Sequence, residues 1–172
     1  KFSNFCNLAC RSCNSSNSST YAKVLDATVA NGGVAENAEY DLSNNDELWN
    51  SLLKYIDNLL ETHAGVGIGL IGGETMLQVG AQRLVKWLAQ HPQSKKIKLY
   101  ITTNLTTLHP DIVDHFKHFQ IVSLTASIDS THNNYHYVRW PAQFSKVKNN
   151  LQTVYQMPNV TNLTIASVFG LN

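Results

Sequence analysis

Cysteine is absent from the sequence after position 13, and only three cysteines occur in the first 13 residues. An odd number of cysteines argues against a complete disulfide framework, and unpaired thiols indicate a reducing setting inside the cell. The net charge is only +1 without a basic run, so the composition gives no sign of nucleic-acid binding. No apolar run reaches the length of a membrane span. We therefore expect a cytoplasmic protein with neither a nucleic-acid partner nor a membrane partner.

The chain has the size of one ordinary domain. Its 172 residues are 43% apolar, which is enough for a substantial core. The first residue is lysine, and the sequence stops just after a strand-like stretch. We therefore expect residues 1–172 to be one core domain cut from a longer protein.

Predicted strands alternate with predicted helices along the chain. Strands are predicted at residues 1–5, 66–71, 97–103, 121–128 and 160–168. Helices are predicted around residues 20–25, 46–62 and 81–90, and two more are predicted to open at Pro110 and Pro141. Residues 31–45 are expected to form a surface loop. Strands joined by helices predict a parallel sheet of about five strands, either an open doubly wound sheet or part of a barrel.

Polar or metal-binding residues follow four of the predicted strands. They are Cys6, the Gly72–Thr75 segment, Asn104 and Asp129. In both candidate architectures the functional site lies at the carboxyl ends of the parallel strands. We therefore expect these residues to converge on one site.

The three cysteines are spaced C-x3-C-x2-C, at Cys6, Cys10 and Cys13. Cysteine thiolates are the usual ligands of iron–sulfur clusters, and three of them would leave one iron of a 4Fe–4S cluster open to a small molecule. The alternative is a structural zinc site, which needs a fourth ligand. His63, His109 or His132 would have to supply it from far along the chain.

With these motifs the chain resembles the radical S-adenosylmethionine (radical SAM) superfamily. The cysteine triplet after the first strand is that family's signature, and Gly72-Gly73-Glu74-Thr75 resembles its Gly-Gly-Glu-Pro motif. The resemblance covers essentially the whole chain and looks closest to the branch with a twitch or SPASM extension. It implies a partial TIM-like (β/α)6 barrel, with the sixth strand and any C-terminal auxiliary domain missing from this segment.

The resemblance also implies a reaction. A 4Fe–4S cluster on Cys6, Cys10 and Cys13 would reductively cleave S-adenosylmethionine, and the resulting 5′-deoxyadenosyl radical would abstract hydrogen from a substrate. Several enzymes of the branch modify peptides, so the expected substrate is a peptide or protein side chain, with a small molecule as the alternative. An external electron donor such as flavodoxin or ferredoxin would be needed.

The second motif would bind the amino group of S-adenosylmethionine. Gly72 and Gly73 would let backbone carbonyls approach the ligand, and Glu74 would add a charge-assisted hydrogen bond. Thr75 replaces the usual proline, which loosens the turn but keeps the glutamate. The alternative for the two glycines is a plain turn that ends a strand.

Four further residues would complete the cofactor site. Arg139 would grip the ligand carboxylate, Ser127 would hydrogen-bond the ligand, and Asn104 would reach the ligand or the cluster. Asp129 would hold a ribose hydroxyl or orient Arg139. The alternatives are a surface arginine, a turn asparagine and a capping aspartate.

Two other interpretations remain open. One is a zinc- or cluster-stabilised α/β domain that binds a partner without catalysis. The other is a degenerate family member that holds the cluster but does not cleave S-adenosylmethionine. Thr75 favours this second interpretation, as does Ser12, which stands where the family often has a bulky apolar residue near the adenine.

Overall fold

The computed structural model of the protein describes residues 1–29 and 41–168. They form a four-stranded parallel sheet, a two-stranded antiparallel ribbon and connecting helices. The elements in chain order are β1 (Ala9–Cys10), α1 (Ser19–Val29), α2 (Asp46–Thr62), β2 (Val66–Leu70), α3 (Val79–Gln90), β3 (Ile97–Thr103), α4 (Pro110–Val113), β4 (Ile121–Ser127), α5 (His132–Val138), β5 (Arg139–Trp140), α6 (Phe144–Tyr155) and β6 (Asn162–Ala166).

The parallel sheet has the strand order β2-β3-β4-β6. Ile68 faces Leu99 across the first pair of strands, and Ile101 faces Leu124 across the second. Helices connect the strands because parallel neighbours need a crossover to bring the chain back to the same end. All four carboxyl ends therefore meet at one edge of the sheet.

The two faces of the sheet differ in burial. Leu99, Ile101 and Leu124 are almost fully buried, whereas Tyr100 on the opposite face of β3 is 45% exposed. Residues along β3 and β4 alternate in this way throughout. A doubly wound sheet is covered on both faces, whereas a half-open face suits the inner wall of an incomplete barrel. The predicted α/β fold, a partial radical SAM-type barrel, is confirmed, although the parallel sheet has four strands and not five.

Helix α2 begins and ends at the predicted residues. Asn45 caps it by accepting a hydrogen bond from the Leu48 amide at 2.9 Å. Trp49, Ile56 and Leu60 are buried on its inner face. In the predicted loop, Leu42–Asn44 form a 3-10 turn, and residues 31–40 lie outside the described part of the chain.

The prediction of a strand at residues 1–5 is wrong. Ser3 makes only an isolated bridge to Asp41, and the Phe2 carbonyl accepts a hydrogen bond from the Leu42 amide. The carbonyl of Asn4 accepts a hydrogen bond from the Ser19 amide at 2.8 Å, so this segment is bonded to loops and helix starts. Its backbone groups are therefore not aligned along a neighbouring strand of the sheet.

The stretch before α6 also differs from the prediction. Helix α5 was not predicted, and α6 begins at Phe144 and not at Pro141. The Ala142 amide donates to the Arg139 carbonyl at 2.8 Å, so the chain turns at Pro141 before the helix starts. The short strand β5 lies just before this turn and pairs with β1 beside Cys10.

Candidate functional site

A cavity of about 170 Å³ lies at the carboxyl ends of the parallel strands. All three cysteines contribute to its walls. So do most of the other predicted site residues, namely Gly72, Gly73, Glu74, Asn104, Ser127 and Arg139. Thr75 and Asp129 are not in the lining. The predicted convergence of strand ends therefore brings together residues from five separate parts of the chain.

Hydroxyl groups after the cysteines hold the thiol loop in place. The Ser18 hydroxyl donates to the Leu8 carbonyl at 2.5 Å, and the Thr20 hydroxyl donates to the Cys6 carbonyl at 2.6 Å. The Cys6 amide donates to the Ser19 hydroxyl at 3.3 Å. Sequence reasoning treated this polar run only as the start of a helix. Its abundance of hydroxyls directly after the cysteines was the available signal.

The ribbon of β1 and β5 joins the thiol loop to the end of α5. Cys10 faces Arg139, and Ala9 faces Trp140. The Arg11 amide extends the pairing by donating to the Val138 carbonyl at 2.9 Å. The backbone register thus places Arg139 directly opposite a cysteine.

The Arg139 side chain is buried between a carboxylate and a thiol. One terminal nitrogen, Nη2, lies 2.8 Å from Asp129 Oδ2, and the other, Nη1, lies 3.8 Å from Cys10 Sγ. Asp129 is itself held, because its Oδ1 accepts from the Val168 amide at 2.9 Å. Ser12 Oγ adds a long contact of 3.4 Å to Oδ2. Of the two predicted roles for Asp129, this geometry favours orienting Arg139 over holding a ribose.

The turn after β2 depends on two glycines with positive φ, +84° at Gly72 and +56° at Gly73. A Cβ on Gly73 would lie 2.3 Å from the Phe5 carbonyl oxygen. The Gly72 carbonyl was expected to be free for a ligand, but it accepts a hydrogen bond from Gln78 Nε2. Gln78 was missed by sequence reasoning, and it fixes the turn from the start of α3.

Glu74 joins this turn to the end of β3. Its Oε1 accepts from the Thr103 hydroxyl at 2.6 Å and from the Met76 amide at 3.0 Å, while Oε2 accepts from the Asn104 amide at 2.7 Å. The residue is 1% exposed. Burial raises the pKa of Glu74, and these hydrogen bonds oppose the rise. Only Oε2 retains clear capacity for another donor.

Asn104 and Thr75 also have partners within the protein. Asn104 Nδ2 donates to Asn7 Oδ1 at 3.0 Å and lies 4.0 Å from Cys6 Sγ, while its Oδ1 accepts from the Thr106 hydroxyl and amide. Asn104 thus forms a turn and contacts a thiol at the same time. The Thr75 hydroxyl donates to the Leu70 carbonyl at 3.4 Å, which fastens the turn to the end of β2 where proline has no donor.

The family model described as the radical SAM superfamily matches residues 1–172. The chain belongs to the radical SAM superfamily. A search of curated proteins found no match to the sequence. Members of the superfamily generally bind a 4Fe–4S cluster and S-adenosylmethionine. In residues 1–29 and 41–168, no helix is long and apolar enough to cross a membrane.

The thiols of this radical SAM domain are tuned by burial and by Arg139. Burial raises the pKa of Cys6 to about 12 and that of Cys10 to about 11. The Arg139 guanidinium opposes the rise at Cys10. The neutral forms of Cys6 and Cys10 are therefore favoured until a metal displaces their protons, as is usual for buried thiolate ligands.

The arrangement does not favour the single-ion zinc alternative. Within the described ranges, no three His, Cys, Asp or Glu side chains converge on a point suited to one metal ion. His63, His109 and His132 do not line the cavity. A multi-iron cluster needs no such convergence, because each cysteine binds a different iron. Three thiols around one cavity, with a buried guanidinium beside Cys10, fit the cluster of the family.

The Glu74→Gln variant is expected to lower the free energy of unfolding by about 1–3 kcal/mol. All three partners of the carboxylate are donors, and the amide nitrogen of glutamine would face one of them. Urea denaturation measures the change. The control is Glu61→Gln, the same replacement at an exposed position of α2, where we expect a change within about 0.5 kcal/mol. Equal stability of the two variants would contradict the assigned contacts.

Proposed function

We propose that this domain holds a 4Fe–4S cluster on Cys6, Cys10 and Cys13 and binds S-adenosylmethionine in the same cavity. The observation that carries the proposal is that three thiols share one cavity with the Gly72–Glu74 turn and with Arg139. When bound, the reduced cluster would supply the electron that breaks the C5′–S bond of S-adenosylmethionine. The products would be methionine and a 5′-deoxyadenosyl radical, which would abstract hydrogen from the substrate.

The protein's part is to bind and orient the cofactor. The backbone of Gly73 and the remaining acceptor site on Glu74 Oε2 would receive the ammonium group of S-adenosylmethionine. The carboxylate would bind Arg139 Nε, which is buried and has no hydrogen-bond partner in the described part of the chain. A buried donor without a partner is costly, so a ligand that accepts from Nε would stabilise the site.

Ser127 and Asn104 would contribute polar contacts at the ends of neighbouring strands. Both line the cavity, and Asn104 already contacts the Cys6 thiol. Thr75 and Asp129 would act from behind the lining, Thr75 by fastening the glycine turn and Asp129 by holding Arg139. The exposed Ser12 does not close the adenine side, so the adenine would need contacts from elsewhere.

The substrate and partners are proposed from the resemblance. We expect a peptide or protein side chain as the substrate, a small molecule as the alternative, and flavodoxin or ferredoxin as the electron donor. Assignment to the twitch or SPASM branch stays a prediction. A reducing cellular compartment suits three unpaired cysteines, all free in this structure.

The decisive test measures 5′-deoxyadenosine. The full-length protein is reconstituted with iron and sulfide without oxygen, reduced, and mixed with S-adenosylmethionine. We expect 5′-deoxyadenosine in the reduced sample and none in a matched sample without reductant. A protein with a verified 4Fe–4S cluster that forms no product would overturn the catalytic proposal. Bound zinc without sulfide would instead indicate the non-catalytic binding domain.

A further inference from the structure

Arg139 is placed to act on the cluster itself, in addition to its proposed contact with S-adenosylmethionine. Its Nη1 lies 3.8 Å from Cys10 Sγ, within reach of a hydrogen bond to sulfur. The guanidinium is directed by Asp129, whose Oδ2 lies 2.8 Å from Nη2. The positive charge thus stands between a carboxylate and a cluster ligand.

The backbone keeps the guanidinium in this position. Cys10 and Arg139 are partners in the antiparallel ribbon, so neither can move away without breaking backbone hydrogen bonds. Asp129 is in turn held by the Val168 amide. The Arg139 side chain is 9% exposed and that of Asp129 is 1% exposed, so water screens the pair very little.

A fixed positive charge beside a ligating sulfur favours the more negative state of a cluster. Hydrogen bonds to the sulfurs and nearby charges are among the main determinants of iron–sulfur reduction potentials. Asp129 offsets part of the effect, but it contacts Nη2, whereas Nη1 is the nitrogen that lies beside Cys10 Sγ. The N–H group facing Sγ therefore dominates at the cluster.

We infer that Arg139, held by Asp129, is a positioning residue that donates to Cys10 Sγ and raises the reduction potential of the 4Fe–4S cluster. The consequence is that a cellular electron donor reduces a larger fraction of the clusters. The inference rests on the proposed function, because it requires the cluster on Cys6, Cys10 and Cys13.

The test is a redox titration of the reconstituted full-length protein in the absence of S-adenosylmethionine. The fraction of reduced cluster at each potential is measured by electron paramagnetic resonance. For Arg139→Gln we expect the ratio of reduced to oxidised cluster at a fixed potential to fall about tenfold. For a one-electron couple, that is a shift of about 59 mV to lower potential. The reduction potential of Arg139→Lys should lie between those of Arg139→Gln and the wild type. Lysine keeps the positive charge but loses the planar guanidinium with its fixed N–H donors.

The matched control is Arg11→Gln. It removes the same charge from the residue next to Cys10, but the Arg11 guanidinium is exposed and lies 3.7 Å over the Tyr137 ring. We expect its titration curve to match the wild type. If Arg139→Gln loses the cluster, the double variant Asp129→Asn with Arg139→Gln avoids an unpaired carboxylate at position 129. We expect it to lower the ratio by less than tenfold, because removing the negative charge of Asp129 offsets part of the loss of the guanidinium.

The outcomes separate this inference from the proposed function. Equal potentials in wild type and in the Arg139 variants, all with intact clusters, would overturn the inference and leave the cluster assignment standing. If the Arg139 variants also bind S-adenosylmethionine more weakly, the role of Arg139 would be limited to binding the carboxylate of that ligand. A wild-type protein that cannot be loaded with a 4Fe–4S cluster would instead refute the proposed function.

Discussion

Replacement of Cys10 by alanine is expected to abolish both cluster binding and the formation of 5′-deoxyadenosine. Three thiolates are the whole set of cysteine ligands proposed, and the sequence contains no fourth cysteine to take over. Cys10 is buried at 8% exposure and is paired through its backbone with Arg139. Its loss therefore removes one of the three thiolate ligands, and the sequence has no other cysteine to replace it.

The measurement is the iron and sulfide content after reconstitution, together with the assay for 5′-deoxyadenosine. Ser12→Ala is the matched control, because it removes a polar atom from the same loop at an exposed position with only a 3.4 Å contact to Asp129. The control should keep its cluster. A Cys10→Ala protein that retains a full 4Fe–4S cluster would show that the ligand set has been assigned wrongly.

Gly73→Ala is expected to disrupt the site through the backbone. Residue 73 has φ of +56°, which costs a residue with a Cβ about 1–2 kcal/mol. The new methyl group would also lie 2.3 Å from the Phe5 carbonyl oxygen. That carbonyl cannot easily retreat, because it accepts a hydrogen bond from the Glu74 amide at 2.7 Å. Overpacking of this kind typically adds about 1–3 kcal/mol.

The clash should also displace the thiol loop, because Phe5 directly precedes Cys6 in the chain. We expect Gly73→Ala to unfold at lower urea concentration and to bind less iron and sulfide. Gly69→Ala in β2 is the control, because a Cβ there meets no atom within 4 Å. That variant should be as stable as the wild type or slightly more stable, since alanine loses less entropy on folding than glycine. Similar losses in both variants would refute the steric argument.

Periodic elements could be predicted well from the sequence. The apolar spacing of α2 gave its bounds, and the strands at residues 97–103 and 121–127 were found to within one residue. Such segments bury one repeating face, so the spacing of their apolar residues predicts which side chains are buried. The common edge for the strand ends followed from parallel connectivity alone.

The short elements of the site could not be predicted in this way. Each strand of the ribbon has two residues, which is too short for any periodicity, and its partners Cys10 and Arg139 lie far apart in the sequence. Helix α5 has seven residues and buries Tyr135 alone. These elements are set by tertiary pairing, which one sequence does not reveal.

The hydrogen-bond partners of the site residues could not be predicted from the sequence either. Glu74 was expected to face the ligand, yet its carboxylate accepts three hydrogen bonds from the protein. Gln78 belongs to no motif, although its side-chain amide donates a hydrogen bond to the Gly72 carbonyl. A motif identifies which residue types meet a cofactor, but side-chain directions depend on donors supplied by distant strands.

The pairing of Cys10 with Arg139 also bears on the order in which the domain matures during synthesis. The cysteines leave the ribosome before β5 does, and their loop has only its local hydroxyl contacts until β5 has been made and has paired with β1. Contacts between such distant residues form late, because the long intervening loop must first be closed. A nascent chain that ends before Arg139 would present three thiols without the β1–β5 ribbon and without the Arg139 contact to Cys10. Iron delivery is therefore best timed after most of the domain has emerged.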